Sequence, residues 1–187
     1  VIKDGLTAKA CMELVGFEAI VLEAYKDVKG IWTWAIGITS ASGHKVERYI
    51  DNPQTVKFCL QIFIWLLRTK YLPDVLRVFR GTELSEAQLA AALSFHYNTG
   101  AIGHATWVDH WKAGDIAGAK VLFMHWDKPA SIIERRQKEC DLFFDGKWSS
   151  DELGLVLPVL KPSYHPNFHG AYHVAIKTAL EDLLGAG

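Results

Sequence analysis

No run of apolar residues in the 187-residue chain is long enough to cross a bilayer. The longest, LQIFIWLL at Leu60 to Leu67, falls well short of the roughly 20 residues that a spanning helix needs. A surplus of either charge is also lacking, with 20 Lys and Arg against 21 Asp and Glu. That balance excludes the basic excess by which general nucleic-acid binders neutralise phosphates, so no nucleic-acid partner is expected. Cysteine is scarce: Cys11, Cys59 and Cys140 are odd in number, lie in apolar-patterned segments and form no CxxC. They are read as reduced core residues, which excludes a disulfide frame or a cysteine zinc site. The first residues, VIKDGLTAKACMEL, lack the apolar core of a signal peptide, so the expected compartment is the cytoplasm. Low-complexity tracts and internal repeats are absent too. With half the residues apolar and 22% charged, the composition is that of a folded chain that can bury a full core.

What is present is a strong periodic pattern. Thr7 suits an N-cap, and Cys11, Leu14, Val15 and Glu18 follow at i, i+3, i+4 and i+7, one face of a first helix. Glu18 is therefore placed on, or at the end of, that apolar face. Lys26 to Gly30 reads as a turn, after which IWTWAI alternates, with Trp32, Trp34 and Ile36 on one side and Ile31, Thr33 and Ala35 on the other. A hairpin or short sheet is expected up to about Tyr49. Asp51-Asn52-Pro53 supplies a cap and a first-turn proline for a long helix. Further helices are predicted over Pro73–Phe79, Ser85–Tyr97 behind the SEAQ capping box, Ala105–Lys112, Ile116–Trp126 and Ile132–Phe143.

This order predicts an α+β protein, mainly helical, with a small β-hairpin lobe, a larger helical lobe and a cleft where they meet. After Gly146 the text changes to KWSSDELGLVLPVLKPSYHPNFHG, followed by a predicted helix over Ala171–Leu184. The expected organisation is a main domain over 1–146 and an extension over 147–187. A segment of about 40 residues rarely folds alone, so the extension should pack on the main domain as a belt and terminal helix.

Glu18, Asp27 and Thr33 carry the chemistry in this pattern. Desolvation on an apolar helix face favours the protonated form of a carboxyl, whereas a polar turn favours the ionised form. Glycosidic hydrolysis uses such a division: one carboxyl protonates the leaving oxygen and the other deals with water or developing positive charge.

The residues around them resemble a known motif. Glu18 followed by LEAYKDVKGIWTWAIGIT is similar to E-G-x-x-L-x-A-Y-x-D-x-x-G-x-W-T-x-G-x-G-x-T of the phage-type lysozymes, glycoside hydrolase family 24. LSFHYNTGAIGHATW at Leu93 to Trp107 resembles the family's S-F-x-x-N-x-G block, and AGDIAGAKVLFMHW with ERRQKECDLFF resembles its closing A-G-D-x-x-G-A, W and R-R-x-x-E. Ala19 stands in place of the usual glycine, and Trp34, Ala35, Ile36 and Ile38 change the T-I-G-Y-G-H-T stretch. The resemblance implies a lysozyme-like fold and an endolysin that hydrolyses the β-1,4 bond between N-acetylmuramic acid and N-acetylglucosamine, with inversion. It implies Glu18 as general acid, Asp27 as second carboxylate and Thr33 as a residue placing the attacking water. Arg135 or Arg136 is implied as a supporting cation that pairs with Glu18. No cofactor is implied; the partner is bacterial peptidoglycan. A monomer is expected, made in the host cytoplasm and reaching the wall through a holin-dependent membrane lesion.

Other residues admit two readings. Asn98 either lines the cleft or caps a helix end before Gly100. Tyr25 and Trp107 are candidates for stacking on sugars, against burial in the core. His165, His169 and His173 recur every fourth residue, yet Pro166 and Gly170 interrupt any shared helix, so no metal site is expected. Two further functional readings stay open: a catalytically impaired module that binds peptidoglycan, and a lytic transglycosylase.

Overall fold

In the computed structural model, which describes residues 4–185, Thr7 caps the first helix, α1 (Ala8–Gly16), by accepting the Ala10 N–H at 3.0 Å. The amides of Phe17 and Glu18 then return to the carbonyls of Leu14 and Val15 at 3.2 and 3.1 Å. Glu18 thus stands just past the C-terminal end of the helix, on the chain that turns into β1 (Val21–Lys26). β2 (Trp32–Ala35) and β3 (Ile38–Thr39) complete an antiparallel sheet in the order β1-β2-β3, with Tyr25 opposite Thr33 and Thr33 opposite Thr39. The expected in-out alternation does not hold along the middle strand. Thr33, Trp34 and Ala35 are all buried, whereas Ile31 is 49% exposed. Trp34 stacks on Tyr49 with centroids 3.8 Å apart and donates its indole N–H to the Leu22 carbonyl at 3.0 Å.

The next helix, α2 (Val56–Leu66), is capped by Thr55, whose hydroxyl accepts the Phe58 N–H at 3.1 Å. The Asp51-Asn52-Pro53 signal is not the cap. Asp51 instead has a left-handed backbone (φ +54) and gives its carboxylate to Lys161 and to the Tyr164 hydroxyl. A π-helical stretch, Leu67–Tyr71, leads into α3 (Leu72–Val78). The helices α4 (Glu86–Thr99), α5 (Thr106–Lys112), α6 (Ile116–Met124) and α7 (Ile133–Asp145) lie within a residue or two of their expected bounds. Local signals set α4: Ser85 and Gln88 form the reciprocal capping box, and Gly100 ends it at φ +66.

The expected helix over Ala171–Leu184 starts late. Residues Tyr172–Ala175 form β5, paired antiparallel with β4 (Leu153–Val156), and α8 runs only over Lys177–Gly185. Ladder pairing outweighs helix propensity there.

The described residues divide into two compact units, one of 4–6 with 68–149 and one of 7–67 with 150–185. In the second, α8 packs on α1 and α2, and β4 packs on α1. Gly154 of β4 lies so close to Ile20 that a Cβ would stand 2.6 Å from its Cδ1. The first unit is an aromatic core built on Trp107, Phe95, Phe123 and Phe143. Cys11, Cys59 and Cys140 are free and buried, and burial pushes the thiols of the latter two up to about 12 and about 11.

His96, on the buried side of α4, supplies a test of the helical unit. Its Nδ1 accepts the Ile102 N–H at 3.5 Å, so Nε2 carries the proton and donates to Asp74 at 3.2 Å. Burial holds the imidazole below its ordinary 6.5, against a weaker upward pull from Asp74. The folded protein therefore binds fewer protons than the unfolded chain once the pH drops below about 6.5–7. Stability is full above that range and falls as the solution is acidified towards the lower native value. Urea unfolding at a series of pH values between about 7.5 and 5.5 should show this decline, with a shallower slope in His96→Gln.

Candidate active site

Glu18, Tyr25, Asp27 and Thr33 all lie in the unit that contains the three-stranded sheet. Glu18 is set by the end of α1, and its carboxylate rests on the β2–β3 turn. At Gly37 in that turn (φ +66), a Cβ would stand 3.2 Å from the Glu18 Oε2. Glycine is needed twice over, for the left-handed backbone and for the close approach. Gly37→Ala should add about 1 kcal/mol or more of backbone strain and push the carboxylate aside. Activity should then fall by about tenfold or more while the fold survives, checked by turbidity loss of permeabilised cells beside a thermal melt.

Asp27 is fixed by its own turn. One carboxylate oxygen, Oδ1, accepts the N–H groups of Lys29 and Ile31 at 2.8 and 2.9 Å, and the main chain closes through the Gly30 N–H onto the Asp27 carbonyl at 2.9 Å. These bonds pin the carboxylate through a single oxygen. Thr33 is buried at 4% exposure and donates its hydroxyl proton to the Ile31 carbonyl at 3.1 Å. With the proton committed there, the oxygen faces any further partner as an acceptor. Tyr25, directly across from Thr33, has its phenol pushed up by burial first and then by the charges of Glu18 and Asp27. It stays protonated, so its hydroxyl keeps a proton to donate.

The remaining candidates belong to the helical unit. Arg136 and Glu139 are fully buried. Arg136 bonds Glu139, the Asn98 amide oxygen and, at 2.8 Å, the Trp126 carbonyl, with its guanidinium 4.9 Å above the Phe95 ring. Arg135 reaches the other Glu139 oxygen at 2.9 Å, which also accepts the Ser94 hydroxyl at 2.6 Å. Asn98 is thus held by Arg136, while Gly100 closes the helix end. It borders an open hollow of about 460 Å³ together with Thr99, His125, Trp126 and Lys128.

Trp107 requires a correction. It is fully buried among Phe79, Phe95, Phe123 and Phe143, so its ring has no face to offer a sugar. Its indole N–H finds no hydrogen-bond partner among the described residues. Gly37, Ser94 and Glu139 fall within the family-like blocks of the sequence, which assign them no role. Glu139 had a signal, since it closes the R-R-x-x-E stretch at i+3 and i+4 from the two arginines. Of the histidines, His165 donates to the Lys26 carbonyl at 3.2 Å, and His173 lies in β5. Among the described residues no group of three or more His, Cys, Asp or Glu is placed to hold a metal.

The phage lysozyme family profile matches residues 15–139. No curated protein matches the chain in sequence. Among solved structures, the endolysin of Escherichia coli O157:H7 phage FAHEc1 superposes with a TM-score of 0.63 at 22% identity, covering 78% of this chain and 96% of its own. A variant of P22 lysozyme gives 0.61 at 23%, covering 74% and 97%. The muramidase domain of SpmX from Asticaccaulis excentricus gives 0.54 at 24%, covering 72% and 94%. The likeness extends over nearly the whole length of each of these proteins and leaves about a fifth or more of this chain outside.

Proposed function

The chain belongs to the phage lysozyme family, and we propose that it is an endolysin whose Glu18, Asp27 and Thr33 hydrolyse the β-1,4 bond between N-acetylmuramic acid and N-acetylglucosamine. The observation that carries the assignment is one carboxylate resting on the Gly37 turn and a second pinned in its own turn, both of whose charges act on the Tyr25 phenol. Glu18 protonates the glycosidic oxygen as the bond breaks. Asp27 uses its second oxygen to take a proton from water on the opposite face of the sugar, and the Thr33 oxygen, its own proton held by Ile31, accepts one hydrogen of that water. Tyr25, kept protonated by burial and by the charges of Glu18 and Asp27, meets the substrate as a neutral hydroxyl. Asn98 and the hollow beside it bind sugar, with Arg135 and Arg136 as supporting residues that order Asn98, Ser94 and Glu139.

The reaction so assigned is inverting, which asks for carboxyls roughly 6.5–9.5 Å apart around the water. Mass spectrometry of digested peptidoglycan tests it. Hydrolysis leaves reducing N-acetylmuramic acid ends, and NMR of the fresh product reads the inverted anomer. Products ending in 1,6-anhydro-muramic acid would instead assign transglycosylation, and wall binding without released muropeptides would assign a non-catalytic module. The protein acts as a monomer. No helix among the described residues is long and apolar enough to cross a membrane, and access to the wall from the host cytoplasm is proposed to require a holin lesion. Residues 147–187 are proposed to be an extension of the lysozyme domain.

A further inference from the structure

Residues 150–176 lie beyond the stretch matched by the family profile, yet they engage the strand that leads into Asp27. β1 pairs with β2 along one edge. On its other edge the Ile20 N–H donates to the Leu155 carbonyl at 2.8 Å and the Ile20 carbonyl accepts from Leu157 at 3.0 Å. At the far end of the same edge, both main-chain groups of Lys26 are taken by the extension: its N–H donates to the Tyr164 carbonyl at 2.7 Å, and its carbonyl accepts the His165 Nδ1 proton at 3.2 Å. A carbonyl can only accept, so His165 is held in the tautomer that donates from Nδ1. The next residue in the chain is Asp27.

Tyr164 also reaches the strand that carries Thr33. Its ring meets Trp32 edge-on with centroids 5.2 Å apart, and the Lys26 ammonium lies 5.2 Å above the same indole. One residue of the extension therefore touches the neighbour immediately before each of two candidate catalytic residues. Tyr164 is itself held in a left-handed backbone at φ +61, a conformation that a tyrosine keeps only when its surroundings impose it. The surroundings do: its hydroxyl donates to Asp51 at 2.8 Å, its ring lies 4.1 Å beneath the Lys161 ammonium, and Lys161 bonds Glu23 of β1 at 2.9 Å.

We infer that the Leu160–His165 loop of the extension is a positioning element for catalysis, with Tyr164 and His165 fixing the Lys26 peptide and the Trp32 ring and thereby the places of Asp27 and Thr33. The inference rests on the assignment of those two residues to the reaction. Displacing reacting groups by about 1 Å can cost about 100-fold in rate, so an element that fixes backbone next to a base acts on kcat more than on binding.

The test uses the full chain, with solubilised uncrosslinked peptidoglycan as substrate. Tyr164→Ala and His165→Ala should each lower kcat by about fivefold or more with KM within about twofold, and His165→Asn, whose amide can donate from nearly the same place, should recover most of the loss. Thermal melts establish that each variant is folded at the assay temperature. His165 is exposed, so its variant decides the matter if Tyr164→Ala melts too low. Folded variants with kcat unchanged, or a loss that appears in KM alone, overturn the inference. Glu18→Gln run in parallel separates the two failures: an active Glu18→Gln removes the site assignment itself, whereas an inactive one beside active loop variants removes only the positioning role.

Discussion

Glu18→Gln is expected to slow muropeptide release by about 10²- to 10⁴-fold, the usual contribution of a general acid. Glutamine matches the volume of the carboxylic acid and keeps the contact with Gly37, but it has no proton to pass to the glycosidic oxygen. The change leaves the helix end intact, because the Glu18 backbone bond to Val15 does not involve the side chain. Thermal unfolding should therefore stay within a few degrees of the parent. Turbidity loss of outer-membrane-permeabilised cells, together with a reducing-end assay, reads the effect. Undiminished lysis by a folded Glu18→Gln would take this residue out of the reaction.

The largest effect on stability is expected at Glu139→Gln. Glu139 is fully buried and accepts from Arg135, Arg136 and Ser94 at once, so it neutralises a guanidinium that has no exposed surface. An amide of the same shape can accept through one atom only and brings no charge. Removing one partner of a buried pair costs about 3–5 kcal/mol, because the other charge stays in a medium that cannot solvate it. For a chain of this length each kcal/mol lowers the midpoint by about 2–4 °C, so a drop of about 10 °C is expected by calorimetry. A shift of only a degree or two would mean that water reaches Arg136 in the folded state. The double variant Arg136→Met with Glu139→Gln should recover part of the loss, since it no longer buries a lone cation.

How far the fold could be read from the sequence depended on how local each signal was. Thr7 and the Ser85–Gln88 box act on residues two to four positions away, and they cap their helices as expected. Asp51 carries the same kind of signal but is claimed by Lys161 and Tyr164, more than 100 residues along the chain, and Thr55 caps α2 instead. Tyr172–Ala175 is compatible with a helix by itself and becomes a strand because Leu153–Val156 pairs with it. The order of Glu18, Asp27 and Thr33 was legible because helix end, turn and strand follow one another within a single stretch. The bonds of Arg136 to Asn98 and Trp126, those of Arg135 to Ser94, and the burial of Trp107 were not. They depend on which helices meet, which no spacing within one helix encodes.

The division of the chain into units also bears on when the protein can become active. The helical unit is drawn almost wholly from one continuous stretch, 68–149, whose contacts close over short loops and can form as that stretch is made. The unit with Glu18, Asp27 and Thr33 is split, and residues 7–67 must wait for 150–185, across the intervening segment, before α1 meets α8 and β1 gains its second edge. Loop-closure entropy for so long a separation rises only logarithmically, so the delay is one of synthesis rather than of stability. A ribosome-bound chain lacking residues 150–185 would carry every candidate catalytic side chain and still lack the contacts that hold Lys26. Lytic capacity would then emerge as a late event of translation, a built-in interval during which a wall-degrading protein is made without being competent.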